Sequence, residues 1–416
     1  MRMSAVAPRR LPGRVYLLSL IGLLSATADL FVIFFVFWVA GLQGWSGVQT
    51  AVVVIVTRVP SLLGGWLGGA AVDRFGPIRM IGVDVAIRVA SAAGLAVVAW
   101  NGELPPVAVM ILGGIAAASA PITYASARTL IPRMVDRAAL PRANALLAVG
   151  DQLPLIISAA LISPAVELLG VGPSFLVPVA LLAVVVVLVA SVRRWPTAAV
   201  APHPHETDGA PARPWWRIPS VLALVVLSVL YYGAYGPFET VLPSFVRDDM
   251  GSGSATYSAM WVAFGLGALV TLPLAPMLAR RRPGVVNALN AVAWGLVTLP
   301  VVFATGPVAG IVVFFLSGAV WGPYTAIETT ALHRWAPPST HGRLFGTLRA
   351  LLQTATPVGA ALGSIAHEAF PVGPILAVSA LGCVVAGLTA LALPAVRRRL
   401  EDPETAVAPR SAAERS

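Results

Sequence analysis

Lysine is absent from this 416-residue chain, and each of its 28 basic side chains is arginine. Without lysine there is no G-x-x-x-x-G-K-S/T loop to cradle nucleotide phosphates, so the chain alone cannot drive work with ATP. Cysteine occurs once, at Cys383, which excludes an internal disulfide and a cysteine-held metal cluster. Charge is scarce as well. Charged residues make up 11% of the sequence. Soluble domains carry roughly 25%, so an ordinary soluble enzyme is excluded. No HExxH, paired catalytic carboxylates or Ser/His constellation stands out, and His333, His341 and His367 fall at the ends of apolar runs. Neither catalysis nor a bound cofactor or metal is expected.

What the sequence has instead is apolar mass. Hydrophobic residues make up 57% of it, and the mean hydropathy is +0.84. A helix that crosses a bilayer needs about 20 mostly apolar residues. Twelve such stretches can be read, at 15–41, 46–72, 79–100, 105–127, 143–169, 173–193, 218–246, 254–279, 284–305, 308–332, 344–370 and 372–393. Their many glycines and prolines are compatible with membrane helices. The expected fold is all-α and integral to the membrane.

The arginines sort by side. Twenty-four of the 28 lie in the N-terminal tail, the alternate loops after spans 2, 4, 8 and 10, the central segment and the C-terminal tail. The opposite loops carry Arg247 against Glu103, Glu167, Asp248, Asp249 and Glu368. By the positive-inside rule both termini are cytoplasmic, in a multi-pass protein of the plasma membrane. The net charge of +10 is thus a topology signal, and no nucleic-acid partner is implied. Ala26-Thr27-Ala28 after an apolar run resembles a signal-peptide cleavage site, but the run continues to Val39, longer than a signal segment.

Residues 195–217 are polar and proline-rich, and read as a cytoplasmic linker despite His203 and His205. They divide the chain into a tail (1–14), a six-helix bundle (15–194), a second bundle (218–396) and a C-terminal tail (397–416). The halves are faintly alike. Pro121-Ile122-Thr123 recurs 202 residues on as Pro323-Tyr324-Thr325, and Arg133 and Arg142 recur 201 residues on as Arg334 and Arg343. Parallel six-span repeats point to two pseudo-symmetric bundles and a transporter whose site lies between them.

The loop after span 2 reads Gly69-Ala-Ala-Val-Asp73-Arg74-Phe-Gly76-Pro77-Ile78-Arg79. This resembles the G-x-x-x-D-R-x-G loop signature of the major facilitator superfamily, with its basic residue delayed to Arg79. Asp84 and Arg88 on span 3, Leu140 to Leu146 entering span 5, and His341-Gly342-Arg343 entering span 11 are similar to its drug- and siderophore-exporter branch. The resemblance covers 15–393 and implies Gly69, Asp73, Arg74, Gly76 and Arg79 as a gating motif, with Asp73 latching the halves. Two departures stand out. Span 5 reads Gly150-Asp151-Gln152-Leu153-Pro154 and lacks the glycine pair of the antiporter element, while Arg128 lies at the end of span 4, not within it.

Eight ionisable residues fall inside spans: Asp29, Arg58, Asp84, Arg88, Asp151, Glu239, Glu328 and Arg349. Each costs at least about 2.5 kcal/mol at a helix centre, so each should face protein or water. Asp29 lies about 21 Å along span 1 and Arg58 about 18 Å along span 2, so the two are expected to pair near the midplane. That pair reads equally as a coupling switch or as a permanent structural contact. Asp84 and Arg88, four apart, read as a structural ion pair, and Glu328 and Arg349 have similar depth and suit another, Arg349 equally suiting a partnership with the loop latch. Asp151 and Glu239 lack a cationic neighbour in sequence, as suits proton carriers. Glu239 follows Tyr231-Tyr232-Gly233-Ala-Tyr235-Gly236-Pro237-Phe238, where span 7 should break and leave either an aromatic wall suited to aromatic or cationic ligands or a packed aromatic kink with Glu239 at the outer vestibule. Tyr124, Trp261, Trp321, Tyr324 and Gln353 read either as further cavity residues or as core and interface anchors, the second being the commoner role for such residues.

The expectation is a monomeric secondary transporter in the lipid bilayer, working by alternating access, with no ATPase subunit. It exports an amphipathic small molecule, of drug or siderophore type, against the proton gradient. A nutrient importer or uniporter is the alternative, and a non-transporting sensor the weaker one. Asp73→Asn is expected to slow transport while membrane insertion and ligand binding persist; loss of insertion would instead make Asp73 structural.

Overall fold

The computed structural model describes residues 11–130, 134–135, 140–192, 214–280, 282–337 and 340–397. Among them there are helices and no strands. Before the central segment the longer helices are α1 (Gly13–Leu42), α2 (Gly47–Arg58), α3 (Pro60–Phe75), α4 (Pro77–Val98), α5 (Gly114–Ser119), α6 (Pro121–Leu130), α7 (Leu140–Leu169) and α8 (Leu176–Val192). After it come α9 (Pro219–Tyr235), α10 (Pro237–Ser244), α11 (Ser254–Thr271), α12 (Pro283–Thr298), α13 (Pro307–Trp321), α14 (Tyr324–Trp335), α15 (His341–Ala366) and α16 (Val372–Ala392). Nine helical stretches among the described residues are long and apolar enough to cross a membrane. The shorter apolar helices Gly47–Leu62 and Leu153–Leu169, and α15, lie at the positions of the other three stretches read from the sequence.

Proline sets the joints. Pro60, Pro77, Pro121, Pro219, Pro237, Pro283 and Pro307 each stand first in a helix, where the missing N–H costs nothing and the ring fixes a helical φ. Several of these joints interrupt a single apolar run. Α2 gives way to α3 at Val59, α9 to α10 at Gly236, and α13 to α14 at Gly322 and Pro323. Val59 and Gly236 keep helical dihedrals, so the joints beside Arg58 and Glu239 are lost hydrogen bonds within continuing helices, and the full break expected in span 7 is not formed.

Outward faces are apolar, with Leu168, Phe303, Val308 and Val97 largely exposed, as suits helices solvated by lipid. Inward, one aromatic core joins the two ends of the chain. Phe34 on α1 stacks on Trp261 of α11 with centroids 4.9 Å apart, and Trp38 stacks on Tyr257 at 5.4 Å. Polar contacts between the N-terminal and C-terminal helices gather toward one end of the molecule. The Val48 amide donates to Glu368 at 3.0 Å, the Ser254 hydroxyl donates to Glu167 at 3.2 Å, and Ser258 donates to the Ala159 carbonyl. Gly47, at the start of α2, meets the Ser364 carbonyl of α15 with no room for a Cβ.

Small residues let helix backbones meet directly, which replaces the hydrophobic driving force that lipid removes. Gly318 on α13 lies so close to the Phe264 carbonyl of α11 that a Cβ would overlap it, whereas Gly346 on α15 faces open space. Gly318→Val should cost about 1–3 kcal/mol by overpacking and lower the thermal-unfolding midpoint in detergent. Gly346→Val should leave that midpoint unchanged, and equal losses in both would show that backbone contact at Gly318 is not what holds α11 to α13.

Candidate functional site

The helix joints place the charges. Arg58 is the last residue of α2, two positions before Pro60, and Glu239 follows Pro237 by two in the first turn of α10. Their side chains meet across the molecule, the Arg58 Nη2 donating to Glu239 Oε2 at 2.9 Å. Both are mostly shielded, at 20% and 13% side-chain exposure. The expected Asp29–Arg58 pair is thus not formed. Helix α2 packs on α15 of the C-terminal helices, which turns its last residue toward α10 and away from α1. Glu239, which has no cation near it in sequence, finds one 181 positions away.

Asp29 is served by another arginine. Arg88 Nη2 donates to Asp29 Oδ1 at 2.5 Å and to the Ser25 carbonyl at 2.6 Å. Its Nη1 reaches Asp84 Oδ2 at 3.4 Å, and Thr123 donates to that same oxygen. Asp84 and Arg88 therefore pair within α4, and the pair extends to α1 and α6. Asp84 is fully buried and Arg88 nearly so, while the Asp29 side chain keeps 38% exposure.

Glu328 sits elsewhere. It is buried among the C-terminal helices, where the Ser228 hydroxyl donates to it and in turn receives the Tyr324 hydroxyl at 2.8 Å. No ion pair joins Glu328 to Arg349 among the described residues, since the carboxylate faces α9 and not α15. Tyr231, Phe238 and Tyr324 are packed core side chains around Trp294 rather than cavity walls. The surroundings of Gly69 and the side chains of Asp73, Tyr124 and Asp151 lie outside what is described. Of the rest of the loop signature, Gly76 has φ +86°, a conformation that favours glycine. The Arg74 and Arg79 guanidinium carbons stand 5.3 and 5.9 Å from the Phe75 ring centre, within cation–π range.

A cavity of about 220 Å³ opens between the N-terminal and C-terminal helices. Tyr232, Tyr235, Trp261, Phe264 and Trp321 line it from one side and Phe34 from the other, with Glu239, Arg58, Gln353 and Thr356 among its polar groups. Of the cavity candidates read from the sequence, Tyr235, Trp261, Trp321 and Gln353 line this cavity. Phe34 and Phe264 were not singled out, because an aromatic within a long apolar run looks the same facing lipid, core or cavity. Such a chamber can hold a flat apolar body by its faces and a positive centre by ring quadrupoles and carboxylate.

An all-helical, lipid-facing chain with a chamber between its two sets of helices is a membrane transporter of small molecules. The chain belongs to the Major Facilitator Superfamily, whose sequence model matches residues 17–333. It is 25% identical over 403 residues to the multidrug efflux pump Tap of Mycobacterium tuberculosis, covering 92% of this chain and 94% of that one. It is 26% identical over 398 residues to an uncharacterized MFS-type transporter of Sinorhizobium fredii, covering 92% of each. Among solved structures, a nucleoside transporter, NupG, superposes with a TM-score of 0.71 at 14% identity, over 91% of this chain and 99% of that one. An auto-inhibited POT family peptide transporter gives 0.68 at 14% identity, over 92% and 96%. These neighbours establish the fold alone.

The Arg58–Glu239 contact is expected to stabilise the protein as a unit. In a double-mutant cycle followed by thermal unfolding, Arg58→Gln and Glu239→Gln should each destabilise, and the double variant should recover a coupling of about 1–3 kcal/mol. Additive losses would mean the two groups are solvated independently.

Proposed function

We propose that this transporter is a proton-coupled exporter of amphipathic organic cations. The observation that carries the reading is the aromatic chamber with Glu239 on its wall, bounded by helices from both ends of the chain. Six aromatic side chains there offer stacking surface to ligands of varied outline, which suits a broad substrate range more than the directional hydrogen bonding of a sugar or nucleoside site. The Tap multidrug efflux pumps, alike along nearly the whole chain, favour outward transport.

In this reading the chain makes twelve passes in two bundles, 15–194 and 218–396, joined by a cytoplasmic linker at 195–217. Both termini face the cytoplasm at the plasma membrane, as the arginine distribution supports. The bundles rock about the chamber to expose it alternately to each side, with Asp73 and its loop as the cytoplasmic latch. The proton gradient supplies the drive, since no nucleotide loop is available. Asp29, Glu239, Asp151 and Glu328 are the carboxylates through which a proton can be exchanged, Arg58 their modulating cation. Substrate bound at Glu239 and proton held elsewhere in the interior compete for one conformational cycle.

The test uses the purified chain in proteoliposomes with a trapped pH-sensitive dye and an imposed pH gradient. Tetraphenylphosphonium and planar aromatic cations are expected to trigger proton flux, while size-matched amphipathic anions should not. Glu239→Gln should lower the cation-driven flux about tenfold or more, the equivalent of one interaction of about 1.4 kcal/mol. Substrate uptake without proton movement would replace this reading with a uniporter or importer. Equal flux with anions would remove Glu239 from the substrate site.

A further inference from the structure

The aromatic chamber has a neighbour. A second cavity, of about 200 Å³, lies against the N-terminal helices and is lined by aliphatic side chains of α1, α2 and α4 together with Asp29, Arg88 and Ser91. Among the described residues two side chains line both cavities, Arg58 and Gln353. The partition between a chamber containing Glu239 and one containing Asp29 is therefore built around a guanidinium.

That guanidinium is loosely held. Its Nη2 makes the one hydrogen bond to Glu239, while its Nε is buried without a hydrogen-bond partner. A fork–fork arginine–carboxylate pair would use two parallel bonds, so the contact at Glu239 leaves part of the donor set unspent. On the other side of the partition, Asp29 and Asp84 share one arginine, Arg88. Two carboxylates around one guanidinium leave a negative charge to be balanced, by a proton or by a second cation. Asp84 is sealed in by Thr123 and Arg88, whereas Asp29 lines the cavity that Arg58 also lines.

We propose that Arg58 is a charge relay between the two cavities: an organic cation seated at Glu239 takes over its carboxylate, the freed guanidinium turns to Asp29, and the proton balancing Asp29 and Asp84 leaves. This rests on the aromatic chamber being the substrate site. The O–H bond of the carboxyl group breaks and water in the cavity takes the proton, so one positive charge enters the protein interior as one departs. The charged groups acting on Asp29 are Arg88 and Asp84 from α4 and Arg58 from α2, with Glu239 of α10 on the far side of Arg58. Helix α8, also packed on α1, carries no charged residue; α7 carries Glu167 at its far end, bonded to Ser163 and Ser254, together with Arg142 and Asp151, and α6 carries Arg128, the side chains of these last three lying outside the described residues. Arg58 is thus a positioning residue: it transmits occupancy of one cavity to the protonation of the other without itself carrying the proton.

The relay is tested without a membrane gradient. The full chain in detergent, in weakly buffered solution with a pH indicator, is titrated with tetraphenylphosphonium while bound cation is counted by equilibrium dialysis. The native chain should release about one proton per cation bound, and by linkage its affinity should fall about tenfold for each pH unit lowered across the release range. In Arg58→Gln the release per bound cation should drop to near zero and the pH dependence of affinity should flatten. Asp29→Asn should abolish release as well, which gives a second route should Arg58→Gln fold poorly. Undiminished release per bound cation in either variant, or native binding with no release, would overturn the relay while leaving the chamber as the substrate site. Failure of the native chain to bind the cation would overturn the substrate assignment, and the relay with it.

Discussion

A charge placed in hydrocarbon must find an opposite charge, a hydrogen-bond donor or water, and the interior of this protein is organised by that requirement. Among the described residues three acids and two arginines are distributed so that none of them is left alone: Glu239 with Arg58, and Asp29 with Asp84 around Arg88. Glu328 is the exception that defines the rule, since it takes the Ser228 hydroxyl, itself bonded to Tyr324, in place of a cation. Each solution ties together different helices. Arg88 binds α4 to α1, Ser228 binds α9 to α14, and Arg58 binds the N-terminal helices to α10. The last of these is the one that crosses between the two sets of helices at the chamber, so the polar contact that moves with their separation is also the one facing a ligand.

Backbone breaks and charges coincide for a physical reason. A proline within an apolar run removes one helical hydrogen bond and frees a carbonyl, which membrane proteins tolerate only where protein or a wet cavity can serve it. The joints at Pro60, Pro237 and Pro323 lie within two residues of Arg58, Glu239 and Tyr324, and Glu328 is one turn further on. Polar side chains and irregular backbone thus share the little internal polarity available. The apolar remainder packs by other means: glycine against carbonyl between α11 and α13, and a block of aromatic rings around Trp294 among the C-terminal helices.

The helical class and the family were legible because both rest on local signals: long apolar runs, arginine asymmetry, and one loop signature. The joint in span 7 was legible as a missing donor, since a proline removes one backbone hydrogen bond wherever it stands within a helix, but the helix runs on through it. Pairing was not. Depth along a helix placed Asp29 and Arg58 at one level, but two helices at the same level need not face each other, and the face of α2 that carries Arg58 is set by its packing on α15. The partner of Glu239 was out of reach for the same reason, lying on another helix at a separation no periodicity spans. Among aromatics, Tyr231 and Tyr235 stand one helical turn apart in one motif, and only tertiary contacts send one to the core and the other to the chamber.

At Gly47 the backbone of α2 rests on a carbonyl of α15 with nothing between them. Side chains that interlock must leave their rotamers before two helices can part, and that adds a frictional barrier to any rocking motion. Two bare backbones have no such teeth. The seam there is fastened by the Val48 amide on Glu368 rather than by interdigitation, so it behaves as a smooth joint closed by a clasp. Smoothness makes the speed of opening a property of a few polar contacts, which water can replace one for one as the joint parts.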